Sequence, residues 1–142
     1  MLKPAAFWDA SALVPLCVRQ AASERSNGFF SAYRVTVWWA APVEMASAFV
    51  RLLRREEISS LGYAQALQQL EGIAGLWDVV VPSKKVADEA RALLERYPLR
   101  AAYALQLGAA MVWCEGKPKD RVFLAFDRRL REAASLAGFA LE

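Results

Sequence analysis

Four short apolar runs, each handing over to a helical pattern, constrain the fold of this chain more than any other feature. Ala5-Ala6-Phe7-Trp8 stops at Asp9, and a helical pattern begins at Ser11. Val35-Thr36-Val37-Trp38-Trp39 is β-branched and aromatic throughout and precedes Pro42, placed to open a helix over Val43–Arg55. Trp77-Asp78-Val79-Val80-Val81 is closed by Pro82, and Ser83 caps a helix running to Tyr97. Val122-Phe123-Leu124-Ala125-Phe126 stops at Asp127, with a helix over Arg128–Ala137. Strands alternating with helices at this spacing predict a mostly parallel sheet with helices on both faces. The expected fold is an α/β three-layer sandwich of four to five strands, Phe139-Ala140-Leu141 supplying a terminal edge strand.

The remaining segments fill in that plan. Ser11 to about Ala22 reads as helical despite Pro15, Ser26-Asn27-Gly28 as a turn, and Phe29-Phe30 as part of a short helix. Ser59 to about Ile73 forms a helix closed by Gly75, and Leu99–Cys114 forms a buried one after Pro98. Helical spacing turns Met45, Phe49, Leu52 and Leu53 inward, and likewise Val86, Ala90, Leu93 and Leu94.

A chain of 142 residues, 56% hydrophobic, is large enough for one domain over 1–142 with a core that needs no covalent staple. It has no histidine, which removes Cys/His zinc sites and the Ser-His-Asp and Cys-His classes of nucleophilic catalysis. Carboxylates, hydroxyls, lysines or a bound metal would have to carry any chemistry. The net charge of +3 permits contact with a polyanion without demanding it. Cys17 and Cys114 lack metal-site spacing and suit a reducing, cytoplasmic setting. Met1-Leu2-Lys3-Pro4 leads directly into the first strand, with no signal peptide expected. Ala101–Cys114, nearly uncharged and broken only by Gln106, is too short to span a bilayer, so no membrane partner is expected.

Three acids stand out against this frame. Asp9 and Asp127 each end an apolar strand, where open parallel sheets bind their ligands. Asp is also a favoured helix cap, a role open to Asp127; after Asp9, Ser11 is the better-placed cap. Glu44 opens a helix that follows a strand, at the same end of the sheet, and Ala41 removes the capping-box explanation for it. Three carboxylates gathered there repel one another unless a cation sits among them, and oxygen-only ligation suits Mg²⁺ or Mn²⁺. Arg51, Arg54, Arg55, Lys84, Lys85, Arg128 and Arg129 are available to a polyanion, with Arg128 and Arg129 next to an acid. Trp38 and Trp39 read as core at a strand end rather than as base-stacking platforms.

Phe7-Trp8-Asp9-Ala10-Ser11-Ala12-Leu13-Val14 resembles the opening motif of PIN-domain nucleases. Glu44-Met45-Ala46-Ser47-Ala48-Phe49 resembles their second acidic motif, Leu99–Ala110 their third, and Leu124-Ala125-Phe126-Asp127-Arg128-Arg129-Leu130 their fourth. The motifs fall in family order over almost the whole chain, and size and element order resemble the VapC-type toxins of toxin-antitoxin pairs. The resemblance implies a PIN-like sandwich and Mg²⁺-dependent (or Mn²⁺-dependent) hydrolysis of RNA phosphodiester bonds. Asp9, Glu44 and Asp127 would be the catalytic and metal-holding acids, Ser11 would hydrogen-bond within the pocket, and a cognate antitoxin and a homodimer would be the protein partners. Two positions depart from the family pattern. Ala125 stands where a hydroxyl residue is common, and Tyr103 stands where the third motif carries an aspartate. A phenol, with an ordinary pKa near ~10, is a poor Mg²⁺ ligand. The alternative is therefore a degenerate PIN domain that binds RNA or a protein without efficient cleavage. A phosphate loop of the usual glycine-rich kinds is absent from the sequence.

Overall fold

The computed structural model describes residues 2–142. Its strands are β1 (Ala5–Trp8), β2 (Arg34–Trp38), β3 (Asp78–Val80) and β4 (Val122–Leu124). Its helices are α1 (Ala10–Cys17), α2 (Ser23–Ala32), α3 (Ala41–Arg54), α4 (Ser60–Ala74), α5 (Lys84–Arg96), α6 (Ala101–Trp113) and α7 (Arg128–Ala137). All strand pairs are parallel and the sheet order is β3-β2-β1-β4, with Phe7 opposite both Thr36 and Phe123. The expected α/β three-layer sandwich is thus present, with four strands. Phe139-Ala140-Leu141 contributes only a bridge between Ala140 and Val122, in place of the fifth strand.

Strand alternation divides the core in two. Ala6, Trp8, Val35, Val37 and Leu124 face α1, α3 and α4, where Leu13, Met45, Phe49 and Leu70 complete one cluster. Phe7, Trp38, Phe123 and Ala125 face α5, α6 and α7 with Val86, Leu93, Leu107 and Leu130. Trp38 is buried as expected, but Trp39 is 57% exposed because it lies one residue past the end of β2. Leu94 is likewise exposed, and Leu52 and Leu53 are only half-buried.

Local chemistry explains most boundaries. Ser59 and Ser83 cap α4 and α5 by accepting from the Gly62 and Val86 amides. Gly138, with φ of 112°, closes α7 in the left-handed conformation that glycine adopts freely. The region from Ser11 to Phe30 differs from expectation. Helix α1 ends at Cys17, and Ser26-Asn27-Gly28 lies inside α2 instead of forming a turn. The Ser23 hydroxyl accepts from the Gln20 amide and donates to the Pro15 carbonyl, both at 2.8 Å, which fixes the start of α2. Phe29 and Phe30 then pack edge-on against Trp8. That packing outweighs the local turn preference.

Helix α6 lies unusually close to α5. A Cβ at Gly108 would stand 2.9 Å from the Ala90 nitrogen and 3.1 Å from the Val86 carbonyl, so only glycine permits this approach. Among the described residues no helix is long and apolar enough to cross a membrane.

Candidate functional site

Asp9, Glu44 and Asp127 line one cavity of about 840 Å³ at the carboxyl ends of β1, β2 and β4. Each acid arrives by a different local device. Asp9 leaves β1 in extended backbone and is itself the cap of α1, accepting from the Ser11 amide at 3.1 Å. This corrects the expectation that Ser11 is the cap. A carboxylate reaches the second residue's amide readily, which frees the Ser11 hydroxyl for a bridge. That hydroxyl donates to Asp9 Oδ2 at 2.5 Å and accepts from the Phe126 amide at 2.9 Å. The Asp9 amide donates to the Leu124 carbonyl at 2.9 Å, tying the acid to β4 as well.

Asp9 is only 6% exposed. Burial pushes its pKa upward against the hydrogen bonds from Ser11 and the Ala10 amide, and the Asp127 charge adds to the rise. A residue the sequence reading passed over completes its shell. Gln106 is fully buried and donates from Nε2 to Asp9 Oδ1 at 2.7 Å, while its Oε1 has no partner. The signal was present: Gln106 is the lone break in the apolar stretch Ala101–Cys114.

Glu44 sits in the first turn of α3, where no side chain caps the helix and the dipole favours an anion. Its Oε1 is buried with no hydrogen-bond partner. Burial, and then the Asp9 charge, push its carboxyl up to about 7. Asp127 caps α7, Oδ1 accepting from the Leu130 amide at 3.0 Å, and Oδ2 accepts from the Tyr103 hydroxyl at 2.7 Å. That bond, with burial, pushes the Tyr103 phenol up to about 12, so it stays a neutral donor at ordinary pH.

Arg51 and Arg55 also line the cavity, on the face of α3 that carries Glu44. Arg128 and Arg129, favoured from sequence, do not line it; α7 turns them outward, and Arg128 pairs with Glu132 at 3.2 Å. Arg54, Lys84 and Lys85 do not line it either.

The donor set bears directly on a metal. Among the described residues no three acidic or thiol groups stand together closely enough to hold an ion. The Asp9–Glu44 side nevertheless fits a hard cation in its chemistry. Buried Asp9 raises the cost of ionising half-buried Glu44, and one Glu44 carboxylate oxygen is buried without any partner. Asp9 and Asp127 each have both oxygens engaged in hydrogen bonds, so the free oxygen of the site is that of Glu44.

No family model and no curated protein matches the sequence. Solved structures do match. A toxin-antitoxin complex from Klebsiella pneumoniae aligns with a TM-score of 0.62 at 14% identity, over 87% of each chain. PAE2754 from Pyrobaculum aerophilum aligns at 0.66 and 18% identity, over 97% of this chain and 89% of that one. FitAcB from Neisseria gonorrhoeae aligns at 0.66 and 15% identity, over 95% of this chain and 96% of that one. The chain shares the PIN-like α/β/α fold of these structures. In this sheet the order β3-β2-β1-β4 reverses between β1 and β4, and the crevice at that switch point is where Asp9 and Asp127 stand. Of the positions that resemble PIN motifs, Asp9, Glu44, Tyr103 and Asp127 all line the one cavity.

Proposed function

We propose that this chain is a metal-dependent endoribonuclease of the VapC toxin kind, acting on RNA phosphodiester bonds and held by a cognate antitoxin. The observation that carries the reading is the unpartnered, buried carboxylate oxygen of Glu44 beside Asp9, in a cavity that also presents Arg51 and Arg55. A buried acid beside a half-buried one with an unpartnered oxygen suits a divalent ion, and two arginines on the same wall suit a phosphate backbone.

In this reading Asp9 and Glu44 would hold Mg²⁺ or Mn²⁺, while Asp127 lines the same cavity with its oxygens on Tyr103 and Leu130. Bound there, the ion supplies Lewis acidity, which activates water and screens charge on the phosphoryl oxygens. The chain's own residues set the geometry. Ser11 and Gln106 fix the two oxygens of Asp9, so its orientation is decided before any substrate arrives. Arg51 and Arg55, about two and three turns beyond Glu44 at the end of α3, would pair with the phosphates beside the bond to be cut. A cytoplasmic setting agrees with two free cysteines, of which Cys17 has its thiol pushed up to about 12 by burial and is therefore unreactive. A homodimer and an antitoxin partner are the assemblies proposed, the latter because one structural neighbour is a toxin-antitoxin complex.

The test is incubation of purified protein with RNA and Mg²⁺ or Mn²⁺. Cleavage that Asp9→Asn and Glu44→Gln abolish is the expected result. The Tyr103–Asp127 hydrogen bond favours a second reading, a PIN domain that binds RNA or protein without cutting. RNA binding with no cleavage until Tyr103→Asp is introduced would establish that reading and displace the first.

A further inference from the structure

We propose that Tyr103 is a lock on Asp127: its hydroxyl holds that carboxylate away from the ion bound by Asp9 and Glu44. The inference rests on the preceding reading that Asp9 and Glu44 bind a divalent cation. It concerns what Tyr103 does, beyond what it fails to supply.

The geometry points this way on three counts. The hydroxyl donates to Asp127 Oδ2 at 2.7 Å, a charge-assisted bond. The other oxygen, Oδ1, is committed to the Leu130 amide as the cap of α7, so Asp127 is held from both sides. Glu44 differs in that its buried Oε1 has no partner. Helix α6 also places Gln106 one turn beyond Tyr103, where it donates to Asp9. One helix face thus gives one neutral donor to each acid that ends a strand. The two donors do different work, because Asp9 keeps Glu44 as a neighbour with a free oxygen, whereas Asp127 has no such neighbour among its contacts.

An ion that recruits Asp127 must first break the phenol's bond, and bonds of that kind correspond to about tenfold or more in an equilibrium constant. Tyr103→Phe keeps the ring and removes only the donor. The experiment is Mn²⁺ titration of the metal-free protein without RNA, read by calorimetry or by the paramagnetic resonance signal of free Mn²⁺. Wild type is expected to bind an ion that Asp9→Asn abolishes, and Tyr103→Phe to bind it about tenfold or more tightly. Adding Asp127→Asn to Tyr103→Phe should return the affinity to near wild type. Asparagine remains a good helix cap, so this second change spares α7.

Affinity of Tyr103→Phe equal to wild type, or a gain that survives Asp127→Asn, would overturn the lock while leaving the Asp9–Glu44 ion intact. Absence of Mn²⁺ binding in every variant would overturn both it and the reading beneath it. Melting curves of the metal-free variants report the fold separately, and a purely structural Tyr103 would shift those curves without moving the Mn²⁺ affinity.

Discussion

Glu44 shows how one carboxyl couples folding to a proton. Its ordinary pKa is 4.5 and its folded value is about 7, raised by burial and by Asp9. Stability linked to this group is therefore complete below the unfolded value and is lost as pH rises through the folded one. The metal-free protein should melt lower at pH 8 than at pH 5.5 on this account, and Glu44→Gln should narrow that difference in a thermal scan. If a divalent ion binds Glu44 as proposed, the rise in melting temperature on adding Mn²⁺ should grow between pH 6 and pH 8, and chelation should remove it. Asp9 and Asp127 were legible in the sequence because each ends an apolar run, and Glu44 because it opens a helix that follows a strand. Gln106 was not, because which side of an apolar helix meets a carboxylate depends on how helix and sheet are docked. Its removal in Gln106→Leu should cost about 1.5–3 kcal/mol by urea denaturation, the range for a hydrogen bond to a charged group. The arginines reversed for a similar reason. Proximity in sequence favoured Arg128 and Arg129, but the start of α7 points them outward, while Arg51 and Arg55, one turn apart at the end of α3, face the cavity.

Among the elements, α6 has the least tolerance. Its distance from α5 is set by Gly108, whose missing side chain is replaced by backbone of the neighbouring helix. Gly108→Ala should cost about 1–3 kcal/mol of stability, the usual range for overpacking a core. By moving α6 it should also loosen the bonds from Tyr103 and Gln106. Gly28 provides the contrast, since nothing lies within 4 Å of a Cβ there and α2 is continuous. Gly28→Ala is expected to stabilise by up to about 1 kcal/mol, through helix propensity alone. Denaturation of the pair separates close packing from backbone entropy. Helix caps were readable from sequence wherever a hydroxyl or Asp stood before an apolar stripe, as at Ser83 and Asp127. The start of α2 was not, because its serine answers to a carbonyl eight residues back in α1.

At the scale of the molecule, the layer plan followed from alternation of strands and helices, and the all-parallel order β3-β2-β1-β4 agrees with it. What alternation leaves open is which strands neighbour which, and here that decides the site. Placing β4 beside β1 brings Phe126 onto the Ser11 hydroxyl, 115 residues away along the chain. That seam has a consequence for biosynthesis. A ribosome that has made three of the four strands has not yet made β4 or Asp127, so neither the Phe126 amide nor the acid that closes the cavity is available. The nascent chain then carries Asp9 and Glu44 with no wall opposite them. Chains ending at residue 120 should fail to protect Asp9-proximal backbone from hydrogen exchange, whereas the chain through residue 142 should protect it. A cavity wired in this order gains its last wall only when β4 and Asp127 have emerged, so its completion waits on the final quarter of these residues.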